Sequence, residues 1–250
     1  MSEPDVSIII PAYNEVNNIS RCINQILEFR VKSPMNIEII LIESGSTDGT
    51  HELAEEFKKK NLTNFSVFYE DKPQGKGSAC KIGIQRSSGK VICIFDADNE
   101  YDIEDLPKLT FPILMGKDKF VLGSRHSQGP MRTFTQSRIR AAYFNFGHNI
   151  FTTYFNLLFR TRLKDPATMW KVFDGKLARS IQFTGSRFDF DWEILAYLIR
   201  LGHIPKELAI SYKSRSPNEG KKIKPIADPI HWIYKITIFR AKKIRYITSS

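Results

Sequence analysis

Residues 91–100 read Val-Ile-Cys-Ile-Phe-Asp-Ala-Asp-Asn-Glu. Five apolar residues in succession, rich in β-branched side chains, predict a strand buried on both faces, as in a parallel sheet covered by helices. The run ends on two carboxylates set two positions apart. Alternation along an extended chain puts Asp96 and Asp98 on the same side, within reach of one divalent cation. A hard ion such as Mg2+ or Mn2+ takes one or two protein carboxylates and fills its other positions with water and phosphate oxygens. At a strand end, Asp-x-Asp therefore suits a bound diphosphate. On its own the same pattern also describes a solvated acidic turn, so the rest of the chain has to decide.

Upstream, Val6 to Ile10 is an apolar run stopped by Pro11, a first strand. After the loop Pro-Ala-Tyr-Asn-Glu, the residues Ile19, Cys22, Ile23, Ile26 and Leu27 form the stripe of a helix, with Asn17 or Asn18 at its cap. Ile37 to Ile42 predicts a second strand, and residues 43–50 a loop into a helix around Leu53, Ala54 and Phe57. Phe65 to Tyr69 is a third strand, Gly75-Lys76-Gly77 a tight loop, and Ser78 to Arg86 a helix. Strand, loop and helix repeated this way predict an α/β fold, a mostly parallel sheet flanked by helices whose ligands lie beyond the carboxyl ends of its strands. Loops 11–15, 43–50, 74–77 and 96–100 share that edge. They carry the Tyr13 ring, the carboxylates Glu15, Glu43 and Asp48, small hydroxyls, glycines, Lys76, and the Asp96/Asp98 pair. These are parts for a sugar nucleotide: a ring and an acid for base and ribose, amides and Lys76 near phosphate, a metal beneath the diphosphate. Singly, Gly-Lys-Gly is as good a turn, and Glu15 or Asp48 as good a helix-start acid. Their shared position is what carries the reading.

Ile-Ile-Pro-Ala-Tyr-Asn-Glu (9–15), Glu-Ser-Gly-Ser-Thr-Asp-Gly-Thr (43–50), Gly-Lys-Gly-Ser-Ala (75–79) and Phe-Asp-Ala-Asp (95–98), in this order, resemble an inverting family 2 glycosyltransferase of the GT-A fold. The match runs through Gly123-Ser124-Arg125, and the remainder resembles the branch of dolichyl-phosphate and polyprenyl-phosphate sugar transferases. The resemblance implies Pro11, Tyr13, Glu15, Glu43, Ser44 and Ala97 at the donor nucleotide, and Asp96, Asp98 and Glu100 on Mg2+ or Mn2+. Many relatives have Asp-Asp where this chain has Glu43-Ser44, so GDP and UDP both remain open as the donor's nucleotide. The implied organisation is a nucleotide-sugar half (1–125), an acceptor-side half with membrane-interface helices (126–225) and a basic C-terminal helix (226–250).

The chain of 250 residues, 42% of them hydrophobic, suffices for one large α/β domain or two small ones. Its three cysteines lack paired spacing, which excludes a disulfide framework or zinc site and fits a reducing compartment. The polar, acidic start Met-Ser-Glu-Pro-Asp predicts no signal peptide. Net charge is +10, distributed unevenly. From Lys119 to Lys164 there is no acidic residue, and from Lys221 to Ser250 only Asp228; these windows carry +8 and +7, leaving −5 elsewhere. Regional basicity points to a polyanionic surface. Its aromatics lie in apolar runs rather than among lysines, against the stacking pattern of a nucleic-acid binder.

Residues 141–159 contain no charged side chain, yet Asn145, His148, Asn149, Thr152, Thr153 and Asn156 make them too polar to span a bilayer. Two readings stand: a helix or helix pair lying in an anionic membrane interface, bracketed by arginines, or a helical hairpin buried in the core. The acid-free window favours the first. The tail from Pro229 to Ile247 is likewise either a basic amphipathic helix at a membrane surface or a closing helix packed on the domain. Peripheral placement on the cytosolic face of a membrane is expected.

Inversion requires one nucleophile opposite the departing nucleoside diphosphate. A polyprenyl phosphate acceptor is already anionic at neutral pH and needs cations to hold it rather than a base. The resemblance assigns Arg125, Arg215 and Lys221 to that task, for which arginine's planar fork is suited. A hydroxyl acceptor on a lipid-linked glycan or polysaccharide instead needs a base, and Asp191 in Phe-Asp-Phe-Asp-Trp-Glu (188–193) matches an acid of the branch. Asp191 and Asp98 are thus the catalytic expectations, with helix capping as the structural alternative for Asp191. A catalytically silent, lectin-like descendant is opposed by the intact Asp96 and Asp98.

Overall fold

The computed structural model describes residues 3–125, 138–213 and 227–247. Strands β1 (Val6–Ala12), β2 (Ile37–Glu43), β3 (Phe65–Tyr69) and β4 (Val91–Ile94) alternate with helices α1 (Ile19–Lys32), α2 (Thr50–Lys59) and α3 (Lys76–Arg86). Then follow α4 (Leu106–Leu114), β5 (Phe120–Ser124), α5 (Arg138–Phe159), β6 (Lys171–Asp174), α6 (Gly175–Ser180), α7 (Asp189–Arg200), β7 (Lys206–Ala209) and α8 (Ala227–Ala241). All seven strands join one sheet of order β3-β2-β1-β4-β6-β5-β7. Pairing is parallel except at β6, which runs antiparallel to both β4 and β5. This is the mostly parallel α/β sheet that the strand-loop-helix repeat predicts.

Period-two alternation sorts the strand residues onto two faces. Ile8, Ile10, Val91 and Cys93 enter one cluster with Cys22 and Ile23 of α1 and Ala54 of α2. Ile9, Ile92 and Ile94 enter the other, with Cys80 and Ile84 of α3, Phe155 of α5, Leu195 of α7 and Phe239 of α8. A sheet covered this way on both sides exposes side chains for chemistry only at its strand ends.

Residues 141–159 belong to one helix, not a buried hairpin. Phe151, Phe155 and Phe159 of α5 are buried, and Phe151 and Phe155 pack on Trp192 of α7 with ring centroids 6.3 and 5.8 Å away. Its opposite side is open: Phe146 is 66% and Leu157 76% exposed. The tail helix α8 packs on the domain through Ile236 and Phe239 and is tied to α5 by Tyr154 Oη–Thr237 Oγ1 at 2.5 Å and by Arg240 Nε donating to the Leu158 carbonyl at 3.0 Å. Among the described residues, no helix is long and apolar enough to cross a membrane.

Candidate functional site

The carboxyl ends of β1, β2 and β4 lie side by side, because β1 pairs with both neighbours. At the end of β2, Glu43 is buried; its Oε1 accepts from the Ser46 amide at 2.7 Å, and its Oε2 is 2.9 Å from His51 Nδ1. Burial works to raise the Glu43 pKa, but the bonds from His51 and Ser46 outweigh it and hold the carboxyl below its ordinary range. The same bond holds His51 above its ordinary value. Ser44 donates to Glu70 Oε2 at 2.6 Å and Ser78 to Glu70 Oε1 at 2.7 Å, so one buried carboxylate bolts the β2 loop to the start of α3.

The β1 loop is laced to residues 46–50. The Asn14 amide donates to Ser46 Oγ at 3.0 Å, the Glu15 amide to Thr50 Oγ1 at 2.8 Å, and the Val16 amide to Asp48 Oδ2 at 3.1 Å. Asn14 supplies the left-handed turn, φ 51°, that asparagine tolerates better than most residues. Pro11 sits in β1, Tyr13 is 38% exposed at the rim, and Glu15 accepts from Asn18 Nδ2 at 2.9 Å. Asp48 is the helix-start acid anticipated, accepting from the Thr50 amide at 3.0 Å. Asn18 occupies the cap position of α1 without a side-chain capping bond.

Past β4, the Lys76 ammonium lies 2.7 and 2.9 Å from the two oxygens of Asp96. Lys76 opens α3 rather than sitting in a preceding loop. Ala97 is buried, and Asp98 Oδ1 accepts from the Glu100 amide at 3.1 Å. Glu100 Oε2 accepts from the Tyr212 hydroxyl at 2.7 Å, and among the described residues no three acid, imidazole or thiol groups gather as metal ligands. Asp96 and Asp98 nonetheless suit a divalent ion. Burial, then the charges of Asp98, Asp96 and Glu15, push the Cys22 thiol pKa upward. Two carboxylate ligands leave the remaining positions for diphosphate oxygens.

The acceptor side differs more from what the sequence suggests. Arg125 is buried with its fork filled: Nε and Nη2 donate to Asp165 Oδ2 and Oδ1 at 2.8 and 2.7 Å, and the Arg125 amide adds a bond at 2.9 Å. Arg125 therefore braces the chain before β6 rather than offering its fork to an acceptor phosphate. Arg215 and Lys221 lie outside the described residues. Helix α7 begins at Asp189, so Asp189 and Asp191 do not share a face of an extended stretch. Asp189, not Asp191, does the terminal work: it accepts from the Arg187 amide at 2.9 Å and pairs with Lys235 at 3.1 Å. Glu193 is consumed by loop 184–185, with bonds of 2.8, 2.6 and 2.7 Å. Asp191 is buried and, among the described residues, neither oxygen has a hydrogen-bond partner. Burial raises its pKa against the lowering by Lys76 and Lys171. The glycines of 75–77 meet protein: a Cβ on Gly77 would stand 2.5 Å from Phe190 Cβ, and one on Gly75 2.5 Å from the Ser186 carbonyl oxygen.

A sequence profile described as glycosyl transferase family 2 matches residues 7–181. The chain belongs to that family. Among curated relatives, the dolichol-phosphate mannosyltransferase of Pyrococcus furiosus is 35% identical over 124 residues, 50% of this chain and 34% of that protein. The dolichyl-phosphate beta-glucosyltransferase of Dictyostelium discoideum is 29% identical over 248 residues, 94% and 73% of the two chains. Glycosyltransferase AglE of Haloferax volcanii is 37% identical over 95 residues, 38% of this chain and 31% of that protein, so the match spans about a third of the two most identical relatives named here. Glucosyl-3-phosphoglycerate synthase of Mycobacterium tuberculosis, crystallised with Mn2+, UDP-glucose and phosphoglyceric acid, superimposes with a TM-score of 0.68 at 17% identity, covering 95% of this chain and 80% of that one. That likeness bears on the fold, which is the GT-A arrangement.

Four residues of this family 2 site escape sequence reading: His51, Glu70, Asp165 and Lys171. His51 lies in the charged helix α2 and Glu70 just past the end of β3, where neither residue type stands out. Lys171 opens an apolar strand, and a charge there is the kind of signal that marks a buried ion pair.

Proposed function

We propose that the chain transfers a sugar from a nucleotide diphosphate sugar, with inversion, to a polyprenyl phosphate at a membrane surface. The observation that carries the donor half is the Asp96/Asp98 pair at the carboxyl end of β4, beside the loops that hold Tyr13, Glu15 and Glu43. A divalent cation, Mg2+ or Mn2+, held by Asp96 and Asp98 would take up charge on the departing diphosphate. Lys76 fixes Asp96 and adds positive charge at that point. Glu43, clamped by His51 and Ser46, offers a rigid wall for the nucleoside, and Tyr13 a ring. The names of the Pyrococcus and Dictyostelium relatives support a dolichyl-type phosphate acceptor. The membrane reading is supported by the open side of α5, where Phe146, Ile150 and Leu157 stand exposed near Arg160, with the basic end of α8 alongside.

A second reading is favoured by a specific observation. The Arg125 fork is occupied by Asp165, while the buried Asp191 carboxylate has both oxygens free of hydrogen bonds. That is the condition of a general base awaiting a hydroxyl. Purified protein given Mn2+, a panel of GDP- and UDP-sugars, and either polyprenyl phosphate or lipid-linked glycan, scored by product mass, separates the two. Asp191→Asn nearly abolishes transfer to a hydroxyl and only dents transfer to a phosphate. Turnover of no donor with any acceptor would refute the enzyme reading, and failure to float with anionic vesicles would remove the membrane surface.

A further inference from the structure

Lys171 is buried on β6, on the same face as Phe173 and hence toward α7. An ammonium without water needs an anion and acceptors to offset its lost hydration. The anion is Asp191, whose Oδ1 is 3.8 Å from Lys171 Nζ, beyond hydrogen-bond reach. The acceptor is the Thr168 carbonyl, to which Nζ donates. That carbonyl is itself fixed: Thr168 Oγ1 donates to the Gly123 carbonyl at 2.6 Å, and the Thr168 amide to the Asp165 carbonyl at 3.2 Å. The Lys171 ammonium is thereby held just short of the carboxylate it balances.

We propose that Lys171 is a positioning residue: anchored on Thr168, its ammonium offsets the Asp191 charge across 3.8 Å without occupying either oxygen, leaving both to the acceptor substrate. The inference deepens the second reading above, transfer to a hydroxyl, and rests on it for the acceptor. The charged and titratable groups facing Asp191 are Lys76 and Cys80 of α3, Asp96 past β4, Lys171 of β6 and Asp189 of its own helix. Asp189 is paired to Lys235 and Asp96 to Lys76; Lys76 also bears on the Asp191 charge, and Lys171 is the cation in ion-pair range of Asp191, at 3.8 Å.

The test has an arm that needs no turnover. Difference infrared spectroscopy of Lys171→Met at neutral pH shows a protonated carboxyl band absent from the unaltered protein, and the band disappears in the double variant Lys171→Met/Asp191→Asn. Transfer by Lys171→Met falls about 10-fold or more, but less than about twofold when the same change is made in the Asp191→Asn background, the non-additivity of residues acting as a unit. Lys171→Arg, which keeps the charge, retains transfer within about threefold and shows no such band. The proposal is overturned if folded Lys171→Met shows no protonated carboxyl, if its loss of transfer is equal in both backgrounds, or if Lys171→Arg behaves as Lys171→Met. Absence of turnover by the unaltered protein would remove the functional reading and leave the infrared result to decide the state of Asp191.

Discussion

The donor loops and the acceptor side handle charge in opposite ways. Around the ends of β1 and β2, carboxylates are satisfied mostly by neighbours close in sequence: Glu43 by Ser46 and His51, Asp48 by Thr50, Glu15 by Asn18. On the acceptor side the ionic partners are remote in sequence: Arg125 with Asp165, Lys171 with Asp191, Asp189 with Lys235. Local satisfaction shapes each donor loop, and amide bonds from residues 14–16 then lace the loops together. Remote satisfaction gives a wall that exists only once the chain has folded.

The sharpest break of that contrast is Asp165→Asn, which strips the partner from a buried guanidinium. Unfolding in urea should show a loss of about 3–5 kcal/mol, the penalty for an uncompensated buried charge; a loss near zero would mean the acceptor wall does not depend on this pair. Asp98→Asn, on the donor edge, should leave stability nearly unchanged and lower transfer by about 10²- to 10³-fold. Unaltered turnover in that variant would remove the metal from the proposal, as would activity that survives chelation. Gly77→Ala presses the two regions together, its Cβ meeting Phe190 Cβ at 2.5 Å and the Arg187 carbonyl oxygen at 2.8 Å. Overpacking of this kind costs about 1–3 kcal/mol, whereas Gly147→Ala in α5, with nothing within 4 Å, should be neutral or stabilising. Equal thermal shifts in the two variants would deny the close contact of α3 with α7.

The smallest effect is a pH dependence confined to the donor side. His51, raised from 6.5 by Glu43, adds stability that is complete below pH 6.5 and lost as pH rises through its higher folded value. Glu43, lowered from 4.5, adds stability present above pH 4.5 and lost as pH falls through its depressed folded value. The pair therefore contributes most between these limits, by less than about 1 kcal/mol because His51 is half exposed. His51→Ala should converge with the unaltered protein at alkaline pH; a stability difference that persists there would assign His51 a packing role instead.

The same contrast explains what the sequence discloses. Strands β1 to β4 are legible because each is an apolar run with a turn signal after it, and Asp96, Asp98 and Tyr13 because they follow those runs directly. Asp191 is visible as an acid near a helix start, but that Asp189 rather than Asp191 finds a cation there depends on Lys235, far along the chain. The occupancy of Arg125 by Asp165 leaves no periodic trace, since a pair forty residues apart obeys no local spacing. Nor does Asp-Ala-Asp-Asn-Glu disclose that Tyr212, from beyond β7, donates to Glu100. The helix of 138–159 is apolar enough to suggest lipid and is half core, a division fixed by Trp192 rather than by its own pattern.

The place of β6 in the sheet has a consequence for synthesis on the ribosome. Because β6 lies between β4 and β5, the first 125 residues alone leave β4 with a bare edge and β5 with no strand to dock on. The nascent sheet has to wait for Lys171–Asp174 to emerge before the gap can be filled, and until then that edge is open to pairing with another chain. The strand that carries the counter-charge to Asp191 is also the keystone that joins the early and late parts of the polypeptide.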